Sequence, residues 1–526
     1  MKKNILIISM LALVAAGSFT ACKKSQFDEK YYDPEKTTVG TIDGLYTGLF
    51  KNRRVFPNYR HMFTFLGEIT GRYTQSIGFV NDNKMYEPNP DYVEDRWSDF
   101  YTAPGSDWTA PLSIFREMEK IHEGLGNEEE KEGYLLFMET ARIFVYDQAA
   151  QQVDIWGDIP FSTAGQLNYT GELTLATFDE GAAVYDFILT DLKRISNWLA
   201  TVQPSQFYMN KLAKQDILLK GDLLKWRRYA NSLMLRLAMR ISYVQESRAQ
   251  TLVQEILGNP TLYPLIDVIT DNVQITAAAP NLLTTDMNAA WTEFNHNLAP
   301  GYMVDSLMEP AGDPRLRVFY ELNTGGQYQG VPTSWNTTQQ ENAIGAGLIS
   351  RLDTVTFLRN EYFPGIVITA AEVSFLKAEA YQRWGGGTAR TAYETGIRQS
   401  IAYYFQIHNL SQYNGTKETP YTEAEITLLL ANPLVAYNPA DEEGSLNKIA
   451  LQKWVDFGPM LAPQAWAEMR RSGYPKLSVP VDGGSTLVPT PPARLLYPST
   501  ERNLNAKNYE AVAAKDLYTT KVFWVR

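Results

Sequence analysis

Cysteine and histidine are scarce in this chain of 526 residues, which contains one Cys and four His. A single Cys cannot form an internal disulfide, a CxxC redox pair or a cysteine-rich zinc site. The histidines (His61, His122, His296 and His408) lie far apart, and none has the i, i+4 spacing of an HExxH motif. Metal-dependent hydrolysis and Ser-His-Asp chemistry are therefore poorly supported, and the histidines are most simply core or surface residues.

Basic residues are also in deficit, with 48 Lys and Arg against 59 Asp and Glu, for a formal charge of −11. A nucleic-acid backbone requires a concentrated stripe of Lys and Arg, and the sequence has none. The apolar fraction of 44% and the charged fraction of 20% are those of an ordinary globular protein. Nucleic-acid binding and disorder are thus excluded as leading interpretations.

The N-terminus has the pattern of an export signal. Lys2 and Lys3 precede an apolar run from Ile5 to Ala16, which is too short to span a bilayer, and small residues follow up to Cys22. Phe19-Thr20-Ala21-Cys22 resembles the bacterial lipoprotein box, in which the Cys is lipidated and becomes the first mature residue. We therefore predict a signal peptide at 1–21, a palmitate-bearing anchor at Cys22 and a flexible polar tether at 22–36. Lys23, in place of Asp, implies sorting to the outer membrane.

Helical periodicity dominates the remainder, 37–526, which we expect to form a single domain. Pro111 and the apolar residues from Ile114 to Leu125 predict one helix, and a second follows from Leu135 to Ala149. Thr177 and Glu180 have the spacing of a capping box that opens a third helix. Further stripes run from Asp222 to about Val244, from Thr369 to Gly385, and from Ala392 to Ile407.

The last two of these helices, joined by a glycine-rich turn, resemble a degenerate tetratricopeptide unit. Helices of this kind bury their apolar faces only when several pairs stack. Long segments rich in Gly, Pro, Asn, Thr and aromatics separate the helical blocks, at 73–109, 258–368, 409–447 and 473–507. Loops of such length carry function or disorder, and their Trp and Tyr content favours order.

Several blocks in order resemble the SusD/RagB family of nutrient-binding outer-membrane lipoproteins. The blocks are Trp156-Gly157-Asp158-Ile159-Pro160-Phe161, Gly221-Asp222, Lys225-Trp226, Ala230-Asn231-Ser232-Leu233, Arg236-Leu237-Ala238-Met239-Arg240, Asp313-Pro314-Arg315-Leu316, Ala371-Glu372-Val373, Ala378-Glu379-Ala380-Tyr381, Gln452-Lys453-Trp454, Trp466, Arg470-Arg471-Ser472-Gly473-Tyr474-Pro475, Arg494-Leu495-Leu496-Tyr497-Pro498, Glu501 and Asn508-Tyr509. Each block is weakly specific, but together they cover nearly the whole mature chain.

The resemblance implies an all-α fold, in which a superhelical scaffold of tetratricopeptide-like helix pairs carries a loop-rich ligand-binding half. It also implies a lipid-anchored, cell-surface protein that captures oligosaccharides, or peptides in some members, for a SusC-like TonB-dependent transporter. Neither catalysis nor a cofactor or metal is expected. Most of the matching motifs have structural explanations: Trp226, Trp454 and Trp466 lie on apolar helix faces, and Arg236, Arg240, Arg470 and Arg471 are expected to pair with acids such as Glu379 or Glu468.

Ligand-binding candidates are loop aromatics with polar neighbours, because sugars present C–H faces to rings and hydroxyls to polar groups. The early candidates are Arg72, Tyr73, Trp97, Asp99, Tyr101, Asp107 and Trp108. The mid-chain candidates are Trp291, Asn295, Tyr302, Tyr328, Trp335 and Asn336. For any single ring, packing of its loop onto the scaffold is favoured over ligand contact, whereas at least one direct contact is expected from the set as a whole.

Three other functions remain open. The same importer role could serve oligopeptides, because loop Asn and Gln side chains also bind peptide backbones. The chain could instead be a protein-interaction scaffold without a soluble ligand. A glycoside hydrolase would need a pair of carboxylates about 5 to 9.5 Å apart in a cleft, and no spacing in the sequence singles out such a pair.

Overall fold

Helices build most of the chain in the computed structural model, which describes residues 40–105, 108–166, 169, 174–276 and 283–526. The predicted signal peptide, Cys22, the tether and Asp107 lie outside these residues. Residues Ile42–Arg526 group together as one compact unit. The all-α prediction is confirmed, because the strands of the described residues form only two small antiparallel sheets, β1 with β2 and β3 with β4.

The elements up to residue 275 are as follows. They are α1 Ile42–Phe50, a π-helix His61–Thr70, α2 Gly71–Thr74, α3 Pro90–Tyr101, α4 Pro111–Glu123, α5 Glu128–Trp156, β1 Ile159–Pro160, β2 Phe178–Asp179, α6 Gly181–Thr201, α7 Gln206–Gln215, α8 Leu223–Arg240, α9 Glu246–Gly258, a 3₁₀ turn Ile269–Asp271 and β3 Val273–Ile275.

The remaining elements alternate short helices with long ones. They are α10 Leu283–Thr292, a 3₁₀ turn Glu293–Asn295, a π-helix Tyr302–Met308, α11 Glu309–Ala311, α12 Leu316–Phe319, α13 Thr337–Gly345, a π-helix Thr354–Leu358, β4 Gly365–Ile368, α14 Ala370–Trp384, α15 Ala389–Leu410, α16 Glu423–Ala431, α17 Glu442–Phe457, α18 Ala462–Ser472, α19 Ser499–Leu504, α20 Ala506–Tyr509 and a 3₁₀ turn Ala513–Lys515.

The scaffold is made of helices packed in neighbouring pairs, as the tetratricopeptide-like prediction requires. Helix α4 packs on α5, α6 on α8, and α14 on both α15 and α17. Local sequence sets several ends: Pro111 occupies the first turn of α4, the Thr369 side chain accepts a hydrogen bond from the Glu372 amide, and α14 ends at Gly385 with a positive φ of 72°.

The capping box predicted at Thr177 and Glu180 is wrong, because α6 begins at Gly181 and residues 178–179 form β2. The Asp179 carboxylate instead accepts hydrogen bonds from the amides of Phe161 (3.0 Å) and Ser162 (2.8 Å). Thr177, the predicted cap, is also engaged elsewhere, because its hydroxyl lies 3.0 Å from the Thr163 hydroxyl, to which its amide donates (2.9 Å). Local spacing alone does not distinguish these two uses of the same residue types.

The segment 73–109, predicted as a loop, contains the helix α3. The Asn89 side chain accepts a hydrogen bond from the Asp91 amide, and Pro90 occupies the first helical turn. These two adjacent residues are the signal that predicts the helix. Its presence decides which side chains of residues 90–101 face the core.

Charged side chains pair inside the core of the scaffold. Arg236 contacts Glu372 (2.6 Å), Arg240 contacts Glu468 (2.7 Å), and Arg471 contacts Glu379 (2.6 Å). The predicted pairing of these arginines is confirmed, as is the burial of Trp226, Trp454 and Trp466.

Arg470 differs from the prediction, because it makes no ion pair among the described residues. Its guanidinium lies 3.8 Å from the Trp466 ring centroid and donates to the Ala493 carbonyl. Burial is the main cause that lowers the pKa of Arg470 to about 9.

Candidate functional site

The loop-rich half brings the early and mid-chain segments together. The Gly78 amide donates to the Leu298 carbonyl (2.7 Å), and the Asn81 side-chain amide donates to the Thr333 and Trp335 carbonyls (2.8 Å each). At Gly78 a Cβ would lie 2.4 Å from the Ala299 oxygen, so only glycine permits this close approach of the two backbones. The site described below forms where these segments meet.

Five rings form a continuous cluster, which we call the aromatic site. Tyr59 and Phe63 precede the early segment, Tyr92 belongs to it, and Phe294 and His296 belong to the mid-chain segment. Phe63 lies at the centre, 5.3 Å from Tyr59, 6.0 Å from Tyr92, 5.7 Å from Phe294 and 5.0 Å from His296 between ring centroids. Phe63 and His296 are buried, Tyr59 and Tyr92 are half-buried, and Phe294 is 75% exposed. The cluster therefore has a packed base and an open apolar face.

Phe294 combines an unusual backbone with an exposed side chain. Its φ of 51° and ψ of 23° lie in the left-handed region, which non-glycine residues rarely adopt. Such a conformation costs about 1–3 kcal/mol and persists only where neighbouring contacts impose it. The ring packs on Phe63 and His296 with part of its surface, and the rest of it is exposed to solvent, where a ligand could contact it.

Hydrogen bonds fix the residues on both sides of Phe294. The Tyr59 hydroxyl donates to the Glu293 carboxylate, and the Arg351 guanidinium donates to the side-chain oxygens of Asn295 (3.1 Å) and Asn297 (2.8 Å). Burial and the adjacent Glu293 carboxylate raise the pKa of Tyr59 to about 12, so the hydroxyl keeps its proton in the physiological range. The exposed ring is therefore preorganised.

A chain of polar contacts from His296 through Glu68 to Arg72 lies at the packed base of the aromatic site. His296 is 2% exposed, its Nε2 lies 2.5 Å from a Glu68 carboxylate oxygen, and Arg72 donates to that same oxygen (2.9 Å). Burial acts to raise the pKa of Glu68, but the hydrogen bond from His296 and the charge of Arg72 outweigh it and leave the pKa below its usual value. Glu68 is thus held as a carboxylate that orients the imidazole.

Charged groups line the edge of the aromatic site. The Arg60 guanidinium lies 5.9 Å from the Tyr92 ring centroid and pairs with Asp95. An exposed ring face beside guanidinium, carboxylate and amide groups matches what sugars require, namely a surface for C–H groups and partners for hydroxyls. Among the described residues, no group of three or more His, Cys, Asp or Glu side chains is placed to hold a metal ion.

Of the predicted ligand residues, Arg72 and Asn295 lie at the aromatic site. Four others are half-buried: Tyr101, Trp108, Tyr302 and Tyr328. Trp108 packs edge-on against Phe56 (6.0 Å), and Tyr302 packs near Trp454 (6.2 Å). A ligand contact by these residues stays a prediction.

Trp335 and Asn336 belong to the loop that docks on Asn81. Trp335 is half-buried against a small cluster that includes Leu298 and Val331. Asn336 is exposed and caps α13, where it forms a capping box with Gln339. The local role of Asn336 is therefore structural, while part of the Trp335 ring remains accessible.

Tyr73, Trp97, Asp99 and Trp291 lie in the core, each no more than 5% exposed. Trp97 donates to Glu501 (3.1 Å), the Tyr73 hydroxyl donates to the Tyr86 carbonyl (3.0 Å), and Asp99 pairs with Arg54 (2.6 Å). In this conformation their side chains offer no surface to a ligand. Trp97 and Asp99 are buried because helix α3 turns their side chains toward the core.

The sequence did not single out Tyr59, Tyr92 or Phe294. Phe294 lies between the predicted Trp291 and Asn295, so the segment was identified but its exposed ring was not. Glycine or asparagine is the usual residue at a left-handed position, and a phenylalanine there leaves no local pattern. The adjacent Phe294-Asn295 pair, both with positive φ, becomes visible only in the fold.

The fold is a helical scaffold of the tetratricopeptide-like kind, with the aromatic site on it. The family described as "Starch-binding associating with outer membrane", a SusD-like family, matches residues 36–498. The chain therefore belongs to the SusD-like family of nutrient-binding proteins associated with the outer membrane. No curated protein matches the chain significantly.

Solved structures share the fold. A chitin-binding protein aligns with a TM-score of 0.73 and 21% identity, over 92% of this chain and 100% of that one. A SusD homologue from Bacteroides uniformis aligns with a TM-score of 0.68 and 21% identity, over 92% of this chain and 99% of that one. A SusD homologue from Bacteroides thetaiotaomicron aligns with a TM-score of 0.65 and 22% identity, over 93% of this chain and 99% of that one. In the described part of the chain no helix has both the length and the apolar character needed to cross a membrane.

Proposed function

We propose that this protein captures oligosaccharides at the aromatic site and delivers them, without catalysing a reaction, to a SusC-like TonB-dependent transporter. The observation that carries the proposal is Phe294, a strained and 75% exposed ring whose neighbours on both sides are fixed. A preorganised ring binds a sugar face without losing much conformational entropy. The family's description as starch-binding and the chitin-binding protein of similar fold support a glycan ligand.

The pairing of charges at the site favours an uncharged glycan. Arg60 is paired with Asp95 and Arg72 with Glu68, so an anionic ligand would have to compete with an internal carboxylate for these two guanidinium groups. The third guanidinium of the site, that of Arg351, already donates to the side-chain oxygens of Asn295 and Asn297. Glu293 and Asp91 are exposed at the same site and repel anions. Neutral hydroxyls can use the remaining donors and acceptors of these groups without breaking the pairs.

We further propose that the protein is attached to the outer membrane by lipidated Cys22 and faces the cell surface. The lipoprotein-like sequence before Cys22 and the family's association with the outer membrane support this location. The half-buried rings Tyr101, Trp108, Tyr302 and Trp335 are proposed as secondary ligand contacts.

A binding measurement with matched phenylalanine variants tests the proposal. Mature protein is titrated with maltoheptaose and with chitohexaose by calorimetry, after a thermal-shift screen. Phe294→Ala and Tyr92→Ala should each weaken binding about two- to tenfold, since one aromatic contact contributes about 0.5–1.5 kcal/mol. Phe207→Ala is the control, because Phe207 is similarly exposed (61%) but lies on the scaffold helix α7.

Three results would contradict the proposal. Equal affinity of Phe294→Ala and Phe207→Ala for the bound glycan would remove the aromatic site from the function. Binding of mixed short peptides but of no glycan would favour peptide import. Binding of neither, with co-purification of a transporter, would favour a scaffold without a soluble ligand.

A further inference from the structure

A concave site lies on the scaffold, on elements that do not contribute to the aromatic site. It is a cavity of about 570 Å³ in the groove between α4 and α6, with α5 as its floor. The β1–β2 hairpin contributes Phe161, Ser162 and Asp179 to its lining. This volume lies within the range of about 300–1,000 Å³ that is typical of small-molecule sites.

Aromatic rings form a corner of this groove cavity. Tyr146 and Phe187 meet edge-to-face at 5.7 Å, and Phe161 lies 6.1 Å from Phe187 and 6.4 Å from Tyr146. Phe115 lines the cavity from α4, and Phe187 is 52% exposed. When a ligand enters an apolar cavity, a half-exposed ring at its edge becomes more deeply buried. This removal of apolar surface from water favours binding.

A chain of ion pairs spans one end of the groove from α4 to α6. Glu119 of α4 accepts from Arg116 (2.6 Å) and lies 3.7 Å from Arg142 of α5, which pairs with Glu139 (2.9 Å). Arg194 of α6 then joins Glu139 (2.7 Å) to Asp191 (2.5 Å). The hairpin adjoins this ion-pair chain, because Arg116 also donates to the Phe161 carbonyl (3.0 Å). A cavity of this volume, bordered by three helices and a hairpin, suits a compact molecule.

The charges that line the cavity balance. Arg116, Arg142 and Arg194 stand against Glu119, Asp179 and Asp191, which is three positive groups and three negative ones. Each arginine is already paired, and Asp191 also accepts from the Tyr146 hydroxyl (2.7 Å). An anionic ligand would therefore find no unpaired guanidinium. Asp179 has no ion-pair partner among the described residues, but its carboxylate already accepts from the Phe161 and Ser162 amides and from the Ser162 hydroxyl, and an uncharged polar edge could share these groups.

We propose that this groove cavity is a second binding site, distinct from the aromatic site, for a compact uncharged molecule with an aromatic or alicyclic body. The rings of Phe115, Tyr146, Phe161 and Phe187 surround that body, and the ion-pair chain provides hydrogen-bond partners for its polar edge.

The test uses N-phenyl-1-naphthylamine, a neutral aromatic probe whose fluorescence rises in an apolar environment. Titration of the mature chain should give saturable binding of one probe per protein. Ala183→Phe places a ring in the cavity from an exposed position on α6 and should weaken probe binding at least tenfold. Ala200→Phe makes the same change at an exposed position of α6 outside the cavity and should bind as the wild type does.

Two further variants complete the test. Phe187→Ala removes a half-exposed wall and should weaken binding several-fold in a protein that still folds. Phe294→Ala, which disrupts the aromatic site, should leave probe binding unchanged, so this inference and the proposed glycan function can fail separately. Absence of saturable binding, or equal affinity in Ala183→Phe and Ala200→Phe, would overturn the inference.

Discussion

Gly67 shows how one residue without a side chain shapes the aromatic site. It lies in the π-helix His61–Thr70, directly beneath the imidazole of His296. A Cβ built on Gly67 would lie 2.3 Å from His296 Nδ1, far inside van der Waals contact. His296 is buried and contacts both Phe63 and Phe294, so it has little room to move. The glycine is thus required by packing and not by its backbone angles.

Gly67→Ala should therefore destabilise the protein by about 1–3 kcal/mol, the usual cost of overpacking a core. The same change should weaken glycan binding, because a displaced His296 disturbs the rings above it. Urea unfolding and calorimetry measure the two effects.

Gly258→Ala is the matched control for this substitution. Gly258 ends helix α9, and a Cβ there would meet no atom within 4 Å. We expect no loss of stability, since replacing an unhindered helical glycine reduces the entropy of the unfolded chain. If Gly67→Ala were as stable as Gly258→Ala and bound glycan equally well, the packing role of Gly67 would be refuted.

Elements with clear local signals were predictable from the sequence. Pro111 and Thr369 predict the starts of α4 and α14, and Gly385 predicts the end of α14, because caps depend on neighbouring residues only. The start of α6 was missed because Thr177, the predicted cap, bonds to Thr163, and Asp179 bonds to the amides of Phe161 and Ser162, which follow β1. Long-range contacts of this kind are not encoded in local spacing.

The candidate site was predictable at the level of segments and not of rings. Aromatic and polar content identified the early and mid-chain segments, which the fold does bring together at Gly78 and Leu298. Which ring faces solvent depends on helix orientation for Trp97 and on a left-handed backbone for Phe294. Both depend on tertiary contacts that override local preference.

Helix α17 carries a buried acid that should make stability depend on pH. Asp456 lies near the C-terminal end of this helix and accepts a hydrogen bond from the Thr369 hydroxyl (3.1 Å). Burial raises its pKa from 3.8 to about 7, against the opposing effects of Ser400 and Arg315. Between these two values the unfolded chain has released a proton that the folded chain keeps, so stability falls as the pH rises.

Asp456→Asn removes this titration and should stabilise the protein more at pH 8 than at pH 5. Between pH 5 and the pKa of about 7, the wild type loses stability over about two pH units, which corresponds to a free energy of unfolding of about 2–3 kcal/mol. The stabilisation by Asp456→Asn should therefore be larger at pH 8 than at pH 5 by that amount. Urea unfolding of both proteins at both pH values measures the difference. Asp441→Asn, at the exposed N-cap of the same helix, should change stability equally at both. An equal effect of Asp456→Asn at pH 5 and pH 8 would contradict the assignment.

At the scale of the whole molecule, the two proposed binding surfaces share one scaffold. The aromatic site is built from the segments around Tyr59 and Phe294, whereas the groove cavity is built from α4, α5, α6 and the hairpin. Buried ion pairs such as Arg471 with Glu379 and Arg236 with Glu372 join the helices of the scaffold. Removing one partner of such a pair leaves an uncompensated charge, so these groups maintain the helix arrangement that both surfaces require.

We predict that the whole molecule is attached to a membrane through its single cysteine. Cys22 follows a signal-like segment, and a lipoprotein cysteine carries more than one acyl chain, which suffices for stable anchoring where one chain gives only marginal binding. In a bacterium that processes lipoproteins, the wild type should incorporate labelled palmitate and fractionate with the outer membrane. Cys22→Ala should incorporate none, whereas Ser25→Ala, three residues further along, should match the wild type. Equal labelling of Cys22→Ala and the wild type would contradict lipidation at Cys22, because the variant has no thiol left to accept the lipid.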